Sequence, residues 1–472
     1  MSAFDVAPNR SATRHAADWL AGLVLDDIPG AVLADAKLRI LDTLGVSLAA
    51  SASSAGNIAR LAALRLGRGE ESTILGFGDK VPATSAALVN GTLSHALDFD
   101  DTHNESVIHV SAPIVTTATA AGELTRADGR AVLTAAVGGA EIACRIGCVR
   151  PGAFHKRGFH ATGVVGTFGA ALTAGKLLAL GAEQLTHALG IAGSQAAGVL
   201  EFFSDGTWAK RLHPGWAAHS GITAAYLAAE GFSGPATVLE GRFGLFATHL
   251  GPDSYAMDRV TSGLGRDWEC VKTSFKPYPC GHVVHPFVDA ILALHRDDGL
   301  RWQDVEFITC PTAAWMIPIM CEPRDVKLKP ETDYHAKFSF PFALAAALYF
   351  GRLGVEAFTD AEIHNPELLG LAQRVHNEVD PTAPDPSRFK GWVIVTTKSG
   401  RKLEKVIDDN WGSERNPLSP DDVRDKFRDN AGIVLPRERV EKIIDLVERL
   451  DQLDGLAPLM QLCVGNVNAR KL

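Results

Sequence analysis

The chain has 472 residues, 46% of them apolar and 21% charged, and carries a formal net charge of −9. That length allows about two to three domains around a sizeable core, and the composition is that of a soluble globular protein. The negative balance, with no dense Lys/Arg run, argues against nucleic acid and membrane as partners, so an anionic ligand would need a local cluster of cations set against the overall sign.

Residues 1–10 read as a loose polar start. Amphipathic helices are expected over 12–24 and 30–50, the second opening at Pro29, then over 54–67, with a strand-like piece at 72–76. From about 82 to 250 the helical signal dominates, with segments at 82–97, 112–125, 128–148, 161–180, 183–197 and 215–230. Gly163, Gly166 and Gly169 fall at i, i+3 and i+6, a stripe that lets backbones approach closely. No Gly-x-Gly-x-x-Gly follows a strand, so a phosphate loop explains these glycines poorly. Residues 161–181 are long enough to span a bilayer, but Lys176 with glycines and threonines interrupts them, and a buried core helix is expected.

The texture changes near 265. Residues 268–274 alternate, 283–297 read as helix, 305–310 as strand, and 335–350 and 359–377 as helices. The runs 391–397 and 402–407 flank Lys398-Ser399-Gly400-Arg401, a hairpin signal. Amphipathic helices return from 419, with Pro420 at a start. The expected fold is mainly α: a large all-helical domain formed by both chain ends (1–267 plus 409–472) with an inserted smaller α/β lid domain (268–408).

The seven cysteines are odd in number and include no Cys-x-x-Cys, and the start is not secretory, so reduced thiols in a cytoplasmic protein are expected. Cys144 and Cys148 share a helix face. With no second ligand pair nearby they read as core thiols rather than zinc ligands.

The chemistry concentrates at 90–109, where a helix running to Leu97 meets Asp98, Asp100, Asp101, Thr102 and His103, with His109 six residues on. Three carboxylates in four positions suit a helix C-terminus poorly, because the macrodipole there is already negative. An Asx-capped terminus, a polar site and a metal site with oxygen and nitrogen ligands all fit the local residues. Four further segments combine polar residues with Gly or Pro. In Phe154–Gly163, His160 stands just before a long apolar helix. In Asp205–Gly215, Lys210 and Arg211 sit in a Gly/Pro-bounded loop. In Lys276–Pro286, two prolines stiffen a loop presenting Lys276, His282 and His285. Tyr334–Ser339 reads as a plain helix start. Together these supply His, Lys, Arg, Asp and Thr without a nucleotide loop or nucleophile elbow. That inventory suits proton transfer on a small anion, with cations stabilising charge that develops beside a carboxylate.

The run Asn90-Gly91…His95-Ala96-Leu97-Asp98-Phe99-Asp100-Asp101-Thr102 resembles the signature of the MmgE/PrpD family, which includes 2-methylcitrate dehydratase, cis-aconitate decarboxylase and iminodisuccinate epimerase. The likeness continues through Gly158-Phe159-His160-x-Thr162, Asp205-Gly206-Thr207…Lys210, Phe232–Pro235, Lys276-Pro277-Tyr278-Pro279-Cys280 and Ala336–Ser339, in order over nearly the whole chain. The resemblance implies a homodimer with an active site between body and lid, no metal or other cofactor, and a di- or tricarboxylate substrate. It implies Asp98, His109, His160 and Lys210 as catalytic residues and Thr102, Lys276 and either His282 or His285 as substrate contacts. The Thr102–His109 spacing is about one residue longer than in the decarboxylase, which leaves His103 as the alternative to His109. Cys321-Glu322-Pro323-Arg324 occupies the place of the decarboxylase's lid tyrosine. The expected activity is therefore a lyase of the hydro-lyase kind, a 2-methylcitrate dehydratase. Epimerisation or decarboxylation of a related acid, an Asp-rich metal enzyme and a non-catalytic carboxylate binder are the alternatives.

Overall fold

The computed structural model describes residues 11–251, 255–383 and 388–465; the loose start expected at 1–10 lies outside them. The protein is mainly α with a small α/β portion. Helices Gly30–Ser51, Ala83–Ala96, Ser111–Thr125, Gly129–Gly147, Ala161–Leu177 and Ala209–Ala229 form the body, joined near the C-terminus by Pro420–Ala431 and Arg437–Glu448. One continuous apolar cluster runs from Ala16 to Cys270 and resumes from Phe427 to Cys463, and a second runs from Tyr278 to Leu403. The chain ends therefore share one core, and the middle has its own.

The glycine stripe does what its spacing predicts. A Cβ on Gly163 would lie 2.4 Å from the Ala197 carbonyl oxygen, one on Gly166 2.9 Å from the Pro113 ring, and one on Gly169 2.8 Å from Ile114. The Ala161–Leu177 helix is buried along almost its whole length, and no helix among the described residues is long and apolar enough to cross a membrane. The closest approach that matters for the site is between Ala83–Ala96 and Ala209–Ala229. At that crossing a Cβ on Gly215 would meet the Leu88 carbonyl oxygen at 2.1 Å, and one on Gly91 would meet the Gly215 Cα at 2.6 Å.

The second core is built on a four-stranded sheet in the order Val375–Val379, Val305–Thr312, Gly391–Thr397, Lys402–Ile407. The first pair is parallel and the others antiparallel, and the hairpin has the expected bounds. Four expectations differ. The alternating 268–274 stretch is a 3₁₀ turn, Cys270–Lys272, leaving only Thr273–Ser274 as strand. The expected 335–350 helix is split by Ser339, whose hydroxyl caps Phe340–Phe350 ahead of Pro341. The expected 359–377 helix is two short ones, Asp360–Ile363 and Pro366–Ala372, after which the chain becomes an edge strand. The loop expected at 205–215 is helical from Ala209, and the helix runs on through Pro214, which sits inside it. All seven cysteines are free and buried.

Because backbone rather than side chain faces Gly215, Gly215→Ala should cost roughly 1–3 kcal/mol by overpacking. Denaturant midpoints of the two proteins, compared at equal slope, measure this; an unchanged midpoint would show that the crossing is loose.

Candidate active site

The Ala83–Ala96 helix ends in a left-handed turn at Asp98, φ 51°, a conformation that Asp tolerates better than most residues. This turn aims the carboxylate at two ammonium groups from distant segments. Lys210 Nζ lies 2.5 Å from Asp98 Oδ1. Lys276 Nζ donates to Oδ2 at 2.9 Å and to the Asp98 carbonyl at 3.0 Å. All three side chains are buried. Burial alone would push the Asp98 carboxyl up, but Lys210 and Lys276 outweigh it and hold it well below the usual carboxylate range. The Lys210 ammonium also lies 5.0 Å from the centre of the Phe338 ring.

Beside this triad is a group of histidines. His95 and His109 have ring centroids 4.5 Å apart, His95 and His160 5.6 Å, and His109 and His160 6.1 Å. His160 Nδ1 sits 2.9 Å from His213 Nδ1. Asp100 lies behind two of them, with Oδ2 2.7 Å from His95 Nδ1 and 3.5 Å from His109 Nδ1. His109 Nδ1 is also 2.9 Å from the Asp101 carbonyl, which can only accept. Neutral His109 therefore carries its proton on Nδ1, and Nε2 is left with a lone pair. His95 Nε2 is buried without a hydrogen-bond partner among the described residues. Burial, then Lys210, pushes His160 and His95 well below the ordinary imidazole range; burial does the same to His109 against the pull of Asp100. His155 and His213 fall to about 4 for the same first reason.

The remaining expected residues divide. Thr102 Oγ1 lies 3.3 Å from His109 Nδ1 and so joins the group. His103 does not, because successive strand residues face opposite ways; its Nδ1 bonds Ser106 Oγ at 2.7 Å. His109 is therefore the histidine beside the triad. His282 accepts from Asn410 at 3.2 Å through Nε2; burial, then Lys276, lowers it to about 3. His285, fully buried, lies 3.3 Å from the Cys280 carbonyl and braces its own loop. Lys337, in the segment expected to be a plain helix start, donates to the Pro279 carbonyl and accepts from Gly281 N–H through its own carbonyl, so it braces the Lys276 loop. His95, Asp100 and His213 carried no assigned role from sequence. His95 and Asp100 sit inside the motif itself, five residues apart, and the signal available was that spacing across a helix end.

The three aspartates do not gather round one point. Asp98 takes the lysines, Asp100 takes His95, and Asp101 takes Arg39 at 3.1 Å and Ser111 at 2.5 Å. Two cations therefore face one carboxylate beside imidazoles held neutral.

A helical body and a separate α/β core thus meet at a cationic, histidine-lined site. The MmgE/PrpD N-terminal domain profile matches residues 14–258 and the MmgE/PrpD C-terminal domain profile residues 278–452, and the chain belongs to the MmgE/PrpD family. It is 30% identical over 480 residues to the cis-aconitate decarboxylase of Homo sapiens, covering 97% of this chain and 95% of that one. Identity is 28% to the Mus musculus enzyme of that name, covering 97% and 94%, and 28% to that of Aspergillus terreus, covering 95% of each. The chain is thus an enzyme of a family with lyase members.

The lowered histidines carry a stability prediction. Below about pH 6.5 the unfolded chain binds protons that the folded His155 and His213 refuse until about pH 4, so stability falls as pH drops through that window. Urea midpoints measured between pH 7.5 and 4.5 should decline, and His213→Gln should flatten the decline relative to its own value at pH 7.5. A parallel pair of curves would remove His213 from the account.

Proposed function

We propose that this protein is a lyase that works with its own side chains on a small di- or tricarboxylate, forming or trapping a carbanion next to a carboxylate. The observation that carries the reading is the shared salt bridge, in which Lys210 and Lys276 divide one carboxylate between them. Both ammonium groups are then short of negative charge, which an incoming polycarboxylate supplies. Electron density that collects on a substrate carboxylate as a neighbouring bond breaks is stabilised by the same lysines. His109 and His160 exchange the proton at carbon, with Thr102 and Asp100 orienting His109.

Among reactions of this type, the names of the relatives favour loss of CO₂ from an unsaturated tricarboxylate of the cis-aconitate class. The second reading is removal of water from a 2-methylcitrate-like hydroxy acid. It is favoured at Cys321-Glu322-Pro323-Arg324, where Arg324 bonds the Val375 carbonyl and supplies no phenol to the site. In the first reading a carbon–carboxylate bond breaks and carbon gains a proton. In the second, one histidine takes a proton from carbon while the other protonates the departing hydroxyl. We further propose a homodimer in the cytoplasm; Leu212, Trp216 and Leu227 form an exposed apolar stripe along Ala209–Ala229 suited to a second copy.

Incubating the protein with cis-aconitate, 2-methylcitrate, citrate and iminodisuccinate, with products followed by NMR, separates the readings. His160→Ala and Lys210→Ala should each lower turnover of the true substrate by about 10²–10⁴; near-normal turnover in both would remove the assignment. A polyanion beside neutral histidines also raises their proton affinity. Binding at pH 7 should therefore take up protons, seen by calorimetry as a heat that varies with buffer ionisation enthalpy, and a buffer-independent heat would contradict it.

A further inference from the structure

We propose that His103, Cys148 and Glu269 form a site for a divalent cation of the zinc class, on the opposite face of the Thr102–His103 strand from the histidine–lysine group. The three residues come from separate parts of the chain. His103 is in the short strand, Cys148 caps the Gly129–Gly147 helix, and Glu269 precedes the Cys270–Lys272 turn. They are 1%, 1% and 8% exposed, and one ligand atom from each lies within 4.8 Å of the others.

The distances fit shared ligation better than direct bonding. His103 Nε2 and Glu269 Oε2 are 3.8 Å apart, too far for a hydrogen bond. Two ligands of one tetrahedral cation with bonds of about 2.0–2.3 Å are separated by about 3.3–3.7 Å. Glu269 Oε2 is buried with no hydrogen-bond partner among the described residues. Its other oxygen is occupied by Lys272 at 3.0 Å and faces Arg259 at 3.6 Å, so the carboxylate is oriented with one oxygen to spare. The Ser106 hydroxyl holds His103 Nδ1 at 2.7 Å, the outer bond that metal-bound imidazoles commonly make. The Ser106 N–H also lies 3.3 Å from Nδ1; cation binding at Nε2 requires the tautomer in which Nδ1–H donates to the hydroxyl.

Sulfur, nitrogen and one carboxylate oxygen together select zinc or cobalt over magnesium or calcium, and leave a fourth position for water. Burial pushes the Cys148 thiol up; ligation releases its proton to solvent and leaves the thiolate on the cation. His95, His109 and His160 are also close enough to share an ion, but that trio offers no anionic ligand against Lys210 and Lys276, whereas at the proposed site Glu269 and the Cys148 thiolate offset Lys272 and Arg259. At the proposed site the cation would pin the strand pair Thr102↔Ser274 and His103↔Thr273, which carries Thr102 and leads into Lys276.

The test uses the full chain, stripped with chelator and titrated with Co²⁺. The proposal expects one equivalent per chain, a thiolate-to-cobalt charge-transfer absorption, displacement by Zn²⁺ and a raised Tm. Cys148→Ser and Glu269→Gln should lose the equivalent, and His160→Ala should keep it. X-ray absorption on the wild-type cobalt complex should find one sulfur among the donors, which requires no variant to fold. Binding without the sulfur signal, binding retained in both variants, or no stoichiometric binding would each overturn it.

Discussion

The structure turns on one buried carboxylate held by two amines. Taking three charges out of water is costly, and a pair of opposite charges recovers the cost only with good geometry. Here the count does not even balance, since Asp98 faces both Lys210 and Lys276 at bonding distance. Burial lowers the proton affinity of Lys210 while Asp98 raises it. Burial first, and Lys210 after it, keeps His95 and His160 neutral.

Such a site must be over-determined, because each charge would otherwise relax toward solvent. Successive residues of the Asp98–Asp101 turn are anchored from different directions. Lys426, from the C-terminal helices, donates to the Phe99 carbonyl at 2.8 Å and pairs with Asp42 at 2.7 Å. Arg39 reaches from the Gly30–Ser51 helix to Asp101 and, at 2.8 Å, to the Thr273 carbonyl beside Lys276. This explains physically why both chain ends share the body core: the turn needs cations from residue 39 and residue 426 at once. Val107, β-branched and at φ 55°, sits in the loop that delivers His109, and strain there persists because strand and helix fix both of its ends.

Much of this was legible before any coordinates. Helical periodicity located the body helices to within a few residues, and the glycine stripe announced close crossings because small residues have one strong packing use there. The family signature brought Asp98, Thr102, His109, His160, Lys210 and Lys276 forward, and they do lie around one another. What sequence could not supply was direction. Thr102 and His103 are neighbours in the chain and opposites in space, and only the pairing with Thr273–Ser274 decides which one faces His109. Lys210 reads as a loop residue because Gly and Pro bound its segment, whereas the helix begins at Ala209 and continues through Pro214. His95 was hidden by its helix: its role depends on Asp100 folding back through a left-handed residue, and a left-handed Asp has no sequence marker.

Direction also explains why the carboxylates of the aspartate-rich run do not converge despite their spacing. A hard dication needs several oxygens converging on one point. Here the backbone reverses at Asp98, so that residue projects toward the lysines, Asp100 toward the imidazoles and Asp101 back to Arg39 and Ser111. Each carboxylate has already met a proton donor of its own. Charge density along the chain is therefore a poor guide to charge density in space, and the reversal at Asp98 turns neighbouring carboxylates toward separate donors.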